Sequence, residues 1–183
     1  MRTVIAITGA SGSRYGVDFV KRCPGEKFLI LSRWGRMVLR EETGLQPEDL
    51  APQVQKIYAN DDLAAPFASG TNPFDTYVIA PCSVATLGKI ANGISDSLIP
   101  RVAEVALKER RRMILVLRES PLSTIALENA LKLSRDGVMI MPAAPGFYQK
   151  PGTLEEMTTQ FVDKILDLAG CPSSAGWRAR ELK

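Results

Sequence analysis

Short runs of apolar and β-branched residues alternate along the chain with longer stretches whose apolar positions recur every three or four residues. Thr3–Thr8 (TVIAIT), Lys27–Ser32 (KFLILS), Thr76–Ala80 (TYVIA), Arg112–Leu117 (RMILVL) and Val138–Met141 (VMIM) are apolar nearly throughout, as in strands covered on both faces. Helical spacing predicts helices at about Arg14–Arg22, Gly35–Thr43, Val84–Ala91, Pro100–Arg110, Ser123–Arg135 and Leu154–Leu168. Strands alternating with such helices imply right-handed βαβ units. The chain therefore reads as an α/β protein, a Rossmann-like, flavodoxin-like three-layer sandwich with a parallel sheet of five strands in the order 2-1-3-4-5. Ser97 and Pro100 mark one helix start, and Ser120-Pro121-Leu122-Ser123 is a similar start. Gly137 is a left-handed stop, and Gly170 ends the final helix. Gln46–Pro73 is the least regular part and is expected to form loops over one end of the sheet.

The length of 183 residues fits one domain, over 1–170, with an irregular tail over 171–183. A net charge of +3 is too small to argue for nucleic acid, and no apolar run approaches a membrane span. The first residues run straight into a strand pattern without the features of a signal peptide. Cys23, Cys82 and Cys171 are scattered and odd in number, neither a disulfide framework nor a zinc pattern, so a reducing cytoplasm is expected. The chain has no histidine. That excludes Ser-His-Asp and Cys-His mechanisms and argues against zinc.

Candidate chemistry gathers in the loops that follow the strands. After the first strand, Thr8-Gly9-Ala10-Ser11-Gly12-Ser13-Arg14-Tyr15-Gly16 leads into a helix. Its glycines admit a ligand close to the backbone, and the helix N-terminus favours an anion. Ser11 and Ser13 add hydroxyl donors; the plainer reading is a tight turn with an N-cap serine. A dinucleotide fold would place an acid at the end of the second strand, but Ile30-Leu31-Ser32-Arg33 has none. Arg33 leaves an NADP-dependent reductase in competition, although the Tyr-x-x-x-Lys spacing of such enzymes does not occur. FMN fits better, with Ser11 and Ser32 as donors; Ser32 also reads as an ordinary strand-end residue. The third strand ends in Pro81-Cys82-Ser83-Val84-Ala85-Thr86, a second turn rich in donors that opens a helix.

TGASGSRYG (8–16), APCSVATL (80–87), ALKERR (106–111), LRESPLS (117–123), ENALKLS (128–134) and PAAPGFYQKP (142–151), taken in this order, resemble the UbiX-type flavin prenyltransferases, formerly described as aromatic acid decarboxylases. The resemblance runs from about Thr3 to Gly170. It implies a single flavin-binding domain that transfers a dimethylallyl group from its monophosphate to reduced FMN, at N5 and then C6, without a metal. The prenylated flavin goes to a partner decarboxylase. It also implies a homo-oligomer, commonly a dodecamer, with FMN at subunit contacts.

By the same resemblance, Gly9, Ala10, Ser11, Gly12 and Ser32 hold the flavin phosphate or shape the loop beside it, and Cys82, Ser83 and Thr86 line the flavin. Arg118 contacts FMN and the prenyl phosphate, working from a neighbouring subunit. Arg101 lies near the substrate, and Lys108, Tyr148 and Lys164 form a phosphate cluster. Glu42 and Glu119 handle protons and carbocation chemistry. Taken alone, Lys108–Arg112 reads as a solvated basic helix end, and Glu42 and Lys164 as surface residues of amphipathic helices. The chain departs from the family at Asp62, where some members carry an aromatic residue, at Lys164, where Arg is common, and at Ala126, often His. Trp177 in the tail reads equally as a site cap or a surface anchor. The competing functions are an FMN-dependent cysteine decarboxylase, disfavoured by the missing histidine, and a non-catalytic FMN-binding protein or flavin carrier.

Overall fold

The computed structural model describes residues 1–171. Six parallel strands, β1 (Arg2–Ile7), β2 (Glu26–Leu31), β3 (Lys56–Ala59), β4 (Thr76–Cys82), β5 (Arg112–Leu117) and β6 (Met139–Pro142), lie in the order β3-β2-β1-β4-β5-β6. The helices are α1 (Ser13–Arg22), α2 (Arg33–Thr43), α3 (Val84–Ala91), α4 (Leu98–Lys108), α5 (Thr124–Arg135) and α6 (Leu154–Ala169). Within each strand the side chains alternate between two cores. Ile5, Ile7, Leu29, Leu31, Val78, Ile114 and Val116 pack with Val17, Phe19 and Val20 of α1, Leu39 of α2 and Phe161, Val162 and Ile165 of α6. Val4, Ala6, Ile30, Tyr77, Ile79, Met113 and Leu115 pack with α3, α4 and Leu133 of α5. Both faces are therefore apolar, which is why the strands read as unbroken apolar runs.

The five expected strands keep their expected order, and all six expected helices are present. The correction is the segment Gln46–Pro73, which is not only loop. It contains β3, a four-residue edge strand paired to β2, flanked by short 3-10 turns at Pro47–Gln53 and Pro66–Ala68. Asn60, just after β3, caps α4 from a distance. Its backbone carbonyl accepts from Leu98 N–H at 2.7 Å and its side-chain Oδ1 from Ile99 N–H at 2.9 Å. The N-cap residue of α4, Ser97, makes no side-chain cap. The predicted tail lies, apart from Cys171, outside the described residues. Among the described residues no helix is long and apolar enough to cross a membrane.

With β1 and β4 adjacent at the centre, the chain winds outward in both directions, and the crevice between their carboxyl ends is where such sheets bind ligands. Close packing there leaves no room for a side chain at Gly16 of α1, where a Cβ would run into the Ala80 carbonyl and Ile7. Gly16→Ala is expected to destabilise the fold by about 2–3 kcal/mol and to lower Tm by roughly 5–10 °C in a thermal melt.

Candidate active site

The carboxyl ends of β1 and β4 are joined through one side chain. Thr8, 1% exposed, donates its hydroxyl to the Pro81 carbonyl at 2.9 Å and accepts from Ser83 N–H at 2.9 Å. Thr8 N–H also donates to the Pro81 carbonyl. Beside this junction lies a cavity of about 340 Å³ lined by Gly9, Ser32, Arg33, Trp34, Asn60, Ser83, Ala85, Thr86, Lys89, Ser97, Ile99 and Pro100. Two helices start at its wall. Ser32 caps α2 by accepting from Gly35 N–H at 2.9 Å. Ser83 caps α3 by accepting from Thr86 N–H at 3.3 Å, and its hydroxyl lies 3.0 Å from that of Thr86. Each cap takes one N–H near the helix start and leaves the earlier ones to a ligand, where the dipole favours an anion. Lys89, one turn into α3, brings a cation to the same wall and pairs with Asp96 at 2.7 Å; this bond holds the Asp96 carboxyl below its usual range.

The first loop departs from its expected form. The N-cap of α1 is Gly12, at φ 104°, a conformation that favours glycine, and no serine side chain caps the helix. The carboxylate of Glu42, at the end of α2, takes the place of an anion. It accepts from Gly12 N–H at 2.9 and 3.0 Å and from Ser13 N–H at 2.7 Å. The side chain of Ser13 is fully buried, with Oγ unpartnered. Ala10 is buried and Ser11 exposed, so of this loop only Gly9 lines the cavity. Cys82 does not line it either. Its thiol is buried in the core with Leu87 and Leu117 below the cavity, and burial pushes it up to about 12.

Further along the same edge, Arg118 follows β5. Its backbone N–H donates to the Cys82 carbonyl at 3.1 Å, and its Nε is buried without a hydrogen-bond partner. A buried guanidinium nitrogen left unpaired is costly, and here it is poised for an acceptor. Glu119, exposed beside it, accepts from Ser120 N–H. Beyond β6 a second cavity, of about 320 Å³, brings Tyr148 and Lys164 together with Gln160, whose buried Oε1 also lacks a partner. Arg101, one turn into α4 from the first cavity, is held by the Ala68 carbonyl and by Glu104. Lys108 is placed elsewhere. It ends α4, roughly 14 Å along the axis from Ile99, beside Gly70 and paired to Glu109 at 2.6 Å. One chain therefore unites Tyr148 with Lys164 but leaves Lys108 at the opposite edge of the sheet.

Residues 1–169 match the model of the Flavoprotein family. The chain is 47% identical to the flavin prenyltransferase UbiX of Thermoplasma acidophilum, over 93% of this chain and 95% of that protein. It is 40% identical to the UbiX of Methanocaldococcus jannaschii, over 95% and 96%. This chain belongs to the UbiX flavin prenyltransferase family. Among solved structures, it superposes on a dodecameric FMN-dependent UbiX-like decarboxylase from Escherichia coli O157:H7 with TM-score 0.93 at 36% identity, covering 97% of this chain and 99% of that one. An AnUbiX (PadA1) complex with FMN and dimethylallyl pyrophosphate gives TM-score 0.90 at 38% identity, over 97% and 98%. The peptidyl-cysteine decarboxylase EpiD, 16% identical with TM-score 0.62, shares the fold.

Trp34, Lys89 and Asn60, which line this UbiX-family cavity, and Thr8 at the junction beside it were not singled out as site residues from the sequence. Trp34, 57% exposed, just precedes the helix expected at Gly35–Thr43, and Lys89 sits inside the one expected at Val84–Ala91. Asn60 sits in a segment taken for loop. Thr8 opens the first motif, yet only the three-dimensional junction shows its hydroxyl serving two strands. Thr8→Val keeps the shape and removes both hydrogen bonds. It is expected to cost about 1–3 kcal/mol, a Tm loss of roughly 3–10 °C, and Thr8→Ser is expected to restore most of it in the same melt.

Proposed function

We propose that this chain transfers a dimethylallyl group from dimethylallyl monophosphate to reduced FMN, at N5 and then C6, and passes prenylated FMN to a decarboxylase that uses it. The observation that carries this reading is the convergence of the α2 and α3 N-termini on one cavity at the β1–β4 switch point. The unpaired Arg118 Nε, a donor left without an acceptor at the same edge, supports an anionic or carbonyl-bearing ligand there. Ser32, Ser83 and Thr86, with the free first-turn N–H groups, would hold the flavin phosphate, and Gly9 would let it approach. Reduced FMN, when bound, supplies the nucleophilic N5 and C6. Tyr148 and Lys164 would hold the leaving phosphate from the second cavity; Arg118 follows β5 on the same edge, whereas Arg101 lies by the first cavity. Charge-assisted hydrogen bonds from these groups stabilise the departing charge. Lys164, a point charge where a guanidinium is common, binds that phosphate through a single ammonium.

Lys108 joins this cluster only from another copy of the chain, which accords with a homo-oligomer. Leu127 and Leu131, half-exposed and one turn apart, give α5 an apolar strip suited to such a contact. Glu119 stands next to Arg118, and Glu42 holds the first loop through its carboxylate.

The test is anaerobic incubation with chemically reduced FMN and dimethylallyl monophosphate, followed by mass spectrometry of the released flavin. A gain of one five-carbon unit, lost in Lys108→Ala, is expected; tightly bound but unmodified FMN with both the mono- and diphosphate donors would leave a flavin-binding protein instead. Glu42→Gln separates two roles. The amide oxygen keeps an acceptor for the loop N–H groups, so the Kd for FMN is expected to stay within about threefold, whereas loss of the carboxylate's proton handling lowers the conversion rate roughly 100-fold.

A further inference from the structure

The cavity at the β1–β4 switch point is lined by two cations, Arg33 and Lys89, and by no acid. Each belongs to one of the two helices that start at its wall. Arg33 is the first residue of α2, directly after the capping Ser32, and neither α2 nor α3 has an acidic side chain in its first turn. A cation there meets the positive end of the helix dipole, where acids are favoured. Arg36, one turn on, pairs with Glu48 at 3.9 Å, whereas Arg33 has no carboxylate partner among the described residues. Its guanidinium lies over the Trp34 ring, with Cζ 5.2 Å from the centroid. Such stacking occupies a face of the guanidinium and leaves its N–H fork available in the plane. Trp34 is seated against the first loop, so closely that a Cβ on Gly9 would overlap it. Lys89 follows Thr86 by three positions, roughly 4.5 Å along the axis of α3, and helical side chains lean toward the N-terminus. Ala85, Thr86 and Lys89 share a helix face, and all three line the cavity. The ammonium gives one hydrogen bond to Asp96 Oδ2 at 2.7 Å and keeps two further donors. Asp96 is exposed and is not among the lining residues, so it steadies the ammonium from outside the cavity.

We propose that Arg33 and Lys89 bind the terminal phosphate of FMN, one cation from each helix that starts at this cavity, and that the pair makes the site select FMN over riboflavin. A phosphate monoester carries close to two negative charges at neutral pH. Two cations match that charge, while Ser32, Ser83, Thr86 and the free first-turn N–H groups supply uncharged donors. In the flavin-free chain, positive side chains stand beside two positive helix ends; a bound dianion turns that repulsion into attraction. Riboflavin has the same ring system and no phosphate, so it gains nothing from either cation. Their role rests on the flavin reading of this cavity and adds to it what distinguishes the phosphorylated flavin from its parent.

The experiment titrates FMN and riboflavin separately into the flavin-free full-length protein and follows the change in flavin fluorescence. The wild-type chain is expected to bind FMN on the order of 100-fold more tightly than riboflavin. Arg33→Gln and Lys89→Gln are each expected to raise the Kd for FMN about tenfold and to leave that for riboflavin within about twofold. Arg33→Lys, which keeps the charge and loses the fork, is expected to recover part of the loss. The Tm of flavin-free Arg33→Gln is expected to stay within about 3 °C of wild type, because relief at the helix start and loss of stacking on Trp34 oppose each other. A Kd for FMN that moves less than about threefold in either glutamine variant overturns the inference. Equal weakening of FMN and riboflavin, the mark of a structural role, overturns it as well. A wild-type chain that binds riboflavin as tightly as FMN sinks the selectivity and leaves the flavin reading standing; one that binds neither flavin removes both.

Discussion

The Thr8 hydroxyl, buried between β1 and β4, decides where the loops at the carboxyl edge stand. It gives its proton to the Pro81 carbonyl and takes one from Ser83 N–H. The ends of two parallel strands have no ladder partner of their own beyond the last register pair, and in a buried setting each unmade bond is costly. By satisfying one group on each side of the following turn, a single side chain fixes the start of α3 relative to the first loop. Ser83 then caps α3, Thr86 is oriented by Ser83, and the wall of the cavity follows from that sequence of contacts.

The same reasoning separates the three helices that begin at this edge. All three present positive ends to the crevice, but α1 is already neutralised by Glu42, whose carboxylate occupies the Gly12 and Ser13 N–H groups. The anion-attracting capacity that remains belongs to α2 and α3, capped by short hydroxyl side chains that carry no charge. The internal carboxylate thus leaves the starts of α2 and α3 as the helix ends of this edge still open to an anion. It also ties the C-terminal turn of α2 to the N-terminal turn of α1, so the loop between them is held from both flanks.

What could be read in the sequence follows from the range of the interactions involved. Strands buried on both faces announce themselves as unbroken apolar runs, so β1, β2, β4, β5 and β6 were legible, as were the helices bounded by Ser, Pro and Gly. Edge strand β3 was not, because Lys56-Ile57-Tyr58-Ala59 has only Tyr58 fully buried and sits between turns. The motifs located the correct turns, and the family they resemble is the family the comparisons show. They did not tell which way a side chain faces. Cys82, last in β4, points into the α3–α4 core, while Ser83 one residue later reaches the cavity, a reversal set by the two-residue period of the strand. Contacts across about thirty residues or more, such as Glu42 with Gly12 and Asn60 with Ile99, left no local signal.

The position of Lys108 carries the argument from the single chain to its assembly. Helix α4 runs antiparallel to the strands, so its first turn, with Ile99 and Pro100, lines the cavity while its last turn faces the opposite edge. No rotamer of a lysine spans that distance: the side chain reaches roughly 6 Å, less than half the axial separation. A phosphate site that needs Lys108 alongside Tyr148 and Lys164 therefore has to be built where the N-terminal edge of one copy meets the carboxyl edge of another. Under the proposed function, association of copies would complete the cluster of cations, and the half-exposed Leu127 and Leu131 of α5 offer apolar surface for such a contact. Binding energy from that subunit contact would then hold together, around the phosphate, like charges that an isolated chain could not gather.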